Sequence, residues 1–490
     1  MDPSLRDLSP QEALEQLAAK APFRKRHLRL FLISIGGTFM DGYATLMTGV
    51  ALPLFKWQEH PDPVLVGLLG AALVLGAVLG AILGGHLGDQ RGRRFVYRLD
   101  MALLAVAFLL LAAAWDPISA VVFQLLVGVG IGMDFPVSSA YVMELMPARL
   151  RTRLLTATIS FQAVGELVGA GAAWLLLRSF PDPGAWRALL GSGAGFAVAL
   201  LLARLGMPES PHWLMEKGRN QEASRVIASL SDQPSASVLA LGAQAGDRRE
   251  ASATANGRQA PGGTGWGLLW ANYRRTTVLT AGSWFLMDIA TYGVGLFTPI
   301  ILASLLGASG PSQSAGVNLI AREFHTISGT GLVDSFLLLG FLFGIVLVPR
   351  FGPIRMQTIG FLGMAAGMAL LAAGSLLPEA NSHRIGLVFL GFIVFNLLMN
   401  AGPNSTTFLL PAHLYPTSVR ATGAGFAAAT GKVGATLGIF LLPIVQERAG
   451  ITAVLVLMVL VSLLALLVTV LFSRHLPRRT GTAAASLTPA

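Results

Sequence analysis

Apolar runs of about twenty residues, each long enough to cross the ~30 Å hydrocarbon core of a bilayer, recur along this chain and constrain its fold more than any other feature. Twelve are readable, at approximately 27–55, 64–88, 97–115, 118–146, 153–178, 186–207, 275–306, 331–350, 355–377, 384–413, 420–445 and 450–473. Composition points the same way. Of 490 residues, 53% are hydrophobic and 12% charged, against about 25% charged in ordinary soluble domains. A soluble fold could not cover its surface with so few polar groups, and the apolar content is too high for disorder. The sequence predicts an all-α membrane protein with twelve transmembrane helices in two six-helix halves. It contains no cysteine, which excludes disulfides, iron–sulfur clusters and thiol nucleophiles.

The basic residues are unevenly distributed. Arg91, Arg93, Arg94 and Arg98 follow the second run, Arg149, Arg151 and Arg153 the fourth, Arg350 and Arg355 the eighth, and Arg420 the tenth. Arg24, Lys25, Arg26 and Arg474, Arg478, Arg479 fall on the same side, and the opposite loops are poor in Arg and Lys. The positive-inside rule then predicts cytoplasmic termini in a multi-pass protein of the cell membrane. It also explains the net charge of +10 without a nucleic-acid partner. The expected organisation is a cytoplasmic segment 1–26, a bundle 27–207, a connection 208–274, a bundle 275–473 and a tail 474–490. Ser4 to Lys20 is polar, so no cleavable signal peptide is expected there. Ser9-Pro10-Gln11-Glu12 reads as a capping box opening a short amphipathic helix. Ser229 to Gly265 reads as a flexible linker, and Trp266 to Tyr273 as an interfacial segment. Gly76, Gly80, Gly84 and Gly88 recur every fourth residue, a smooth strip suited to close packing or to sliding.

Ionisable groups inside a membrane cost roughly 2.5–3.5 kcal/mol each on the insertion scale, so each one present asks for a function. Asp41, Asp134, Glu166, Asp288 and Lys432 lie within apolar runs, with Glu144 nearer the cytoplasmic edge. Buried acids that take up protons for part of a cycle are what proton coupling needs, and Asp41, Asp134, Glu166 and Asp288 are the candidates. Helical spacing sets Trp284, Asp288 and Tyr292 on one face, Asn396, Asn400 and Asn404 on another, Gln162 with Glu166 on a third, and Asp134, Ser138 and Tyr141 on a fourth. Any one of these groups could be glue between helices; four faces at similar depth predict a wet central cavity. Lys432, one of five lysines against 30 arginines, lies inside an apolar span. It could neutralise Asp288, attract an anionic substrate, or do both in turn.

Gly85-His86-Leu87-Gly88-Asp89-Gln90-Arg91-Gly92-Arg93-Arg94 closes the second span. It resembles the Gly-x-x-x-Asp-x-x-Gly-Arg-Arg signature of the major facilitator superfamily. The resemblance implies a fold of two six-helix halves and a conformational gate built from Asp89, Gly92 and Arg93, with Glu144 and Arg149 as further members. Asp89 at a membrane edge can pair with arginines or cap a neighbouring helix end, a contact that would hold the two halves together in one state and release them in another. The repeat after span eight is eroded to Val348-Pro349-Arg350-Phe351-Gly352-Pro353-Ile354-Arg355, with Pro349 at the acidic position. Other segments resemble the phosphate:proton symporters of that superfamily: Gly130 to Pro136, Pro208-Glu209-Ser210-Pro211, Trp284 to Asp288 with Tyr292, Asn400 to Phe408 with Tyr415-Pro416-Thr417 and Arg420, and Thr430 to Ala435. Ala44 stands where those symporters usually carry an aspartate, and Phe135 replaces a tyrosine that would contact phosphate.

The chain therefore reads as a secondary active transporter: a proton-coupled symporter of a small anion, inorganic phosphate first, working by alternating access. Gln162, Trp284, Asp288, Tyr292, Asn400, Asn404 and Lys432 would bind the substrate. A sugar or other organic solute is the alternative cargo, and a nutrient receptor on a transporter scaffold is the alternative of another class. The short extension after Arg474 speaks against the receptor. No metal-ligand cluster, serine–histidine–acid set or phosphate-binding glycine loop is apparent, so no enzyme activity, cofactor or metal is expected. The partners would be the substrate, the proton and the bilayer, and the molecule a monomer.

Overall fold

The computed structural model describes residues 8–256, 265–292, 337–378 and 381–474, and among these it is all helix and connecting turn. Helix α1 (Pro10–Lys20) precedes six long apolar helices: α2 (Lys25–Glu59), α3 (Pro63–Arg91), α4 (Arg93–Ala112), α5 (Pro117–Leu145), α6 (Arg151–Ser179) and α7 (Ala185–Leu205). Four shorter or polar helices follow: α8 (Pro211–Glu216), α9 (Asn220–Leu230), α10 (Ser235–Asn256) and α11 (Gly265–Asn272). The second half holds α12 (274–292), α13 (Leu337–Phe351), α14 (Pro353–Leu376) and α15 (His383–Leu414). It ends in the stretch Arg420–Ser473, which Gly450 (φ 80°) breaks into α16 (420–449) and α17 (451–473). Residues 293–306 and 331–336 of the seventh and eighth expected spans lie outside the described residues. Leu79, Leu109, Leu202, Leu362 and Leu460 are exposed on the outer helix faces, a coat that lipid would cover.

Repeated local chemistry shapes the ends of these helices. Gly92 (φ 101°) separates α3 from α4, and Gly352 (φ 83°) separates α13 from α14 at the corresponding place. Only glycine adopts such angles cheaply, so both junctions turn sharply. Pro147 and Pro416 each open a single 3₁₀ turn, Ala148–Leu150 and Thr417–Val419, and each turn leads into a helix headed by arginine, Arg151 or Arg420. The capping box of α1 is present: Glu12 N–H donates to Ser9 Oγ (3.3 Å) and Ser9 N–H to Glu12 Oε2 (2.9 Å).

The linker expectation needs correction. Ser235–Asn256 is helical, because Ala, Leu, Gln, Arg and Glu outweigh the scattered Gly and Ser in helix propensity. Ala13, Leu14 and Leu17 of α1 form a second small core with Trp213, Leu214, Ile227, Val238 and Leu241. The segments before and after the first bundle thus share one helical domain. Helix α11 buries Leu269 against Tyr415 and Val419, and Trp266 and Trp270 meet the Phe426 ring edge-on.

The glycine strip of α3 has a definite use. A Cβ on Gly76, Gly80 or Gly84 would overlap the backbone of α5 at Leu125, Val129 or Met133, and Gly128 and Gly132 reciprocate. That face is fixed packing within the first half. Contact between the halves comes from the adjacent face, where Gly85 meets the Ala421 carbonyl and Gly425 of α16 meets the Ala81 carbonyl. Overpacking costs about 1–3 kcal/mol, and at Gly85 it would be felt only when the halves touch. Gly85→Ala is therefore expected to slow transport about tenfold or more while leaving the melting temperature near wild type. A melting point lowered as far as by Gly80→Ala would instead make Gly85 part of the fixed packing.

Candidate functional site

Two charged clusters lie between the halves, one central and one at the face that carries the arginine-rich loops. At the centre, small residues let α16 press against α12. A Cβ on Gly431 would overlap the Trp284 ring, and one on Gly434 the Phe285 carbonyl. This approach delivers Lys432 into the buried interior. Its Nζ donates to Tyr292 Oη (2.9 Å), lies 4.0 Å from Asp41 Oδ2 of the first half, and sits 5.1 Å from the centre of the Phe135 ring. Asp288 is buried on α12 between Trp284 and Tyr292, hydrogen-bonded by Trp284 and within the field of Lys432 and Asp41. Trp284 meets Phe135 edge-on at 6.4 Å. Phe135, at the position of a tyrosine in the phosphate:proton symporters, thus supplies a cation–π surface to the lysine.

An ammonium has three N–H donors. Tyr292 takes one, and the 4.0 Å separation from Asp41 exceeds hydrogen-bond length. Asp41 Oδ2 accepts no hydrogen bond among the described residues. Among the described residues, Lys432 therefore retains donors for a further oxygen-bearing group, and Asp41 retains a lone pair for a proton.

The remaining expected binding residues differ in their commitments. Asn400–Asn404 forms a π-turn in α15, a local widening common at functional sites, and Gly360 accommodates its Pro403. Within it Asn404 Nδ2 donates to Asn400 Oδ1 (2.8 Å) and Asn400 Nδ2 to the Asn396 carbonyl (2.8 Å). Asn400 is thereby occupied locally and buried, whereas Asn404 is half-buried. Gln162 and Glu166 are half-buried on α6, where Gly42, next to Asp41, packs onto the Gln162 carbonyl.

Asp41 and Asp134 have separate cations, Lys432 and Arg204. Asp134 accepts from Arg204 Nη2 (2.7 Å), and Arg204 Nη1 also donates to both oxygens of Asp100 (2.9 and 2.8 Å). Arg204 and Asp100 are fully buried. Neither is among the residues expected from the sequence, although each lies within an expected span, three residues from its end.

The second cluster closes the arginine-rich face. Asp89 accepts from the backbone N–H groups of Ala421 (3.2 Å) and Thr422 (2.7 Å), so a carboxylate of the first half caps α16 of the second. The α16 N-cap residue makes no side-chain capping bond of its own. Arg93 pairs with Asp89 (3.0 Å) and with Glu144 (3.0 Å), and donates to the Thr417 carbonyl (3.1 Å). Glu144 is shared with Arg420 (2.6 Å). Arg149 is exposed and stands outside this network; the second arginine on Glu144 is Arg420. Gly92 lies against Glu209, whose carboxylate accepts from the N–H groups of Arg93 (2.9 Å) and Arg94 (3.2 Å). Burial raises the Glu209 carboxyl above the ordinary carboxylate range, and these amide donors oppose the shift. His212 bonds the Glu144 backbone; burial and nearby Arg151 push its ring down to about 3, which keeps it neutral near pH 7. Elsewhere between the halves, α6 and α15 are joined by Thr152 Oγ1 with His413 Nε2 at 3.4 Å.

A family model described as "Sugar (and other) transporter" matches residues 30–480. Inorganic phosphate transporter 1-1 of Oryza sativa subsp. japonica is 30% identical over 84% of this chain and 83% of its own length. The inner membrane metabolite transport protein YgcS of Escherichia coli (strain K12) is 27% identical over 92% of both. Among solved structures, a double Trp mutant of XylE superposes with a TM-score of 0.75 at 19% identity, covering 94% of this chain and 98% of that one. The major facilitator superfamily proton:xylose symporter XylE bound to 6-bromo-6-deoxy-D-glucose gives 0.72 at 17%, over 92% and 96%. The chain belongs to this family of sugar and other transporters within the major facilitator superfamily, and is a twelve-helix membrane transporter, not an enzyme, that resembles the phosphate transporters.

Proposed function

We propose that the protein is a proton-coupled symporter of a small anion, inorganic phosphate first, that works by alternating access in the cell membrane with both termini cytoplasmic. The observation that carries this reading is Lys432. It is a buried cation at the meeting of the halves, held at the limit of ion-pair distance from Asp41 and left with donors to spare. An incoming oxyanion would take those donors, with Asn404 and Gln162 offering neutral N–H groups around it, and with Trp284, whose single N–H bonds Asp288, available once Asp288 gives up that bond. Displaced from the lysine, Asp41 becomes an unpaired buried carboxylate, and taking up a proton is the cheapest remedy. Asp288 would respond in the same way. Substrate and proton then enter together because each lowers the cost of burying the other. If the arginine-rich face is the cytoplasmic one, its closure means that substrate enters from the opposite face, and the resemblance to rice phosphate transporter 1-1 supports the choice of cargo.

Labelled phosphate should accumulate in proteoliposomes under an inward proton gradient, and Asp41→Asn should abolish that accumulation while counterflow exchange stays measurable. Full accumulation by the mutant would remove Asp41 from coupling; no phosphate entry into wild-type vesicles would remove phosphate. Phe135 and Ala44 favour a second reading, an organic solute such as a sugar, because they replace a tyrosine that would contact phosphate and an aspartate that the phosphate:proton symporters usually carry. Competition of phosphate counterflow by neutral sugars would support it.

A further inference from the structure

A groove of about 720 Å³ opens beside the arginine-rich face, between the first turns of α4 and the helices α8 and α9. Trp213 of α8 forms part of its wall, and its indole N–H donates to the Asp89 carbonyl (2.9 Å), which pins α8 to the end of α3. Arg91, Arg94 and Arg98 line the groove from the α3–α4 side, Arg219 and Arg225 from the α9 side. Two glutamates share it, and both are engaged. Glu222 pairs with Arg219 through two bonds (2.7 and 2.6 Å), and Glu209 accepts the backbone N–H groups of Arg93 and Arg94 (2.9 and 3.2 Å). Among the described residues, Arg91, Arg94 and Arg225 form no ion pair, and all three are exposed. Arg98 Nη2 donates to the Leu205 carbonyl at the end of α7 (2.5 Å), and its buried Nε has no acceptor among the described residues. Arginines gathered this closely without carboxylates repel one another, and an anion with several acceptor oxygens relieves that repulsion.

The apolar members of the groove select the kind of anion. Phe95 and Leu99 interleave with Arg94 and Arg98 on the outer flank of α4, and both are exposed. Val106 and Leu110 continue that flank into the membrane span. Leu202 and Leu205 of α7, which the Arg98 bond joins to α4, are exposed as well. Arg98 stands about 7 Å along α4 from Arg93, at the level where a spanning helix passes from headgroups into hydrocarbon. A soluble anion has no use for an apolar flank below the arginines, whereas an anionic lipid fits both parts at once. We propose that this groove binds one anionic glycerophospholipid. Its phosphate sits among Arg94, Arg98 and Arg225, and its acyl chains run down the flank formed by Leu99, Leu202 and Leu205. The bound lipid ties α9 of the helical domain to the head of α4. This site is separate from the central cluster and does not depend on what the protein carries.

The test is lipid retention by the full-length protein, extracted from vesicles of equal parts phosphatidylcholine and phosphatidylglycerol, with retained lipid counted by native mass spectrometry. The wild type should keep one phosphatidylglycerol in preference to phosphatidylcholine. Arg98→Gln and the double variant Arg94→Gln/Arg225→Gln should each lower that retention about tenfold or more. The double variant removes only exposed, unpaired charges, so it decides the matter if Arg98→Gln does not fold. Arg274→Gln/Arg275→Gln, at two exposed arginines heading α12 outside the groove, should leave retention unchanged. Wild-type retention by Arg94→Gln/Arg225→Gln, or an equal loss in Arg274→Gln/Arg275→Gln, would overturn the proposal. Glycerol phosphate, a headgroup without chains, should not displace the lipid even in large excess. Displacement would give the groove to a soluble anion and overturn the lipid assignment.

Discussion

Lys432→Gln is expected to weaken phosphate binding about ten- to a hundredfold, corresponding to the ~1.5–3 kcal/mol of a hydrogen bond to a charged group. Glutamine keeps a donor near Tyr292 Oη and removes the charge, so the loss reads the anion's need for a cation. The substitution also removes the partner of Asp41, and breaking a buried pair by one member is costly in itself. Equilibrium binding should therefore be compared with Lys432→Gln/Asp41→Asn, in which no acid is stranded at position 41. If the double variant binds phosphate as the wild type does, the lysine serves only to neutralise Asp41. If neither variant loses affinity, the cargo is neutral.

Glu144→Gln should open the arginine-rich face. Glu144 bonds Arg93 of its own half and Arg420 of the other, and without its charge two buried guanidiniums confront each other. Removing one partner of a buried ionic network costs about 3–5 kcal/mol, enough to move a two-state balance a hundredfold or more. The chain has no cysteine, so a single Thr422→Cys reports without background. Thr422 is buried beside Asp89 in the closed arrangement. Maleimide should label it slowly in the wild-type background and fast beside Glu144→Gln, with the protein still monodisperse. Equal labelling rates would show that the closed face is held by the glycine contacts and the Asp89 cap without the arginines.

Much of this was legible from residue pattern because membrane solvation leaves few choices. Helix ends lie within a few residues of the apolar boundaries, and Asp89 does cap a helix of the opposite half. Lys432 announced itself by its cost in an apolar run. What stayed illegible depends on which helices touch. Nothing local distinguishes the face of α3 that locks onto α5 from the face that meets α16. Span periodicity could not pair Arg204, near the end of α7, with Asp100 and Asp134 on two other helices. The exchange of partner on Glu144, Arg420 in place of Arg149, is likewise a matter of long-range packing, since both residues follow the same Pro–3₁₀ pattern or lie within it. The π-turn at Asn400 turns a stripe of three amides into a bonded ladder, a change that uniform helical spacing cannot foresee.

Side-chain bonding across the closed face is lopsided. One corner carries a helix cap and a four-member charge network, while α6 and α15 share, among the described residues, one long hydrogen bond between Thr152 and His413. A rim fastened at one corner parts first at the other. The halves should therefore tilt about the Asp89 corner before they separate, admitting water along α6 and α15 ahead of α3 and α16. The closed face would then work as a swinging door, where two matched latches would make a sliding one.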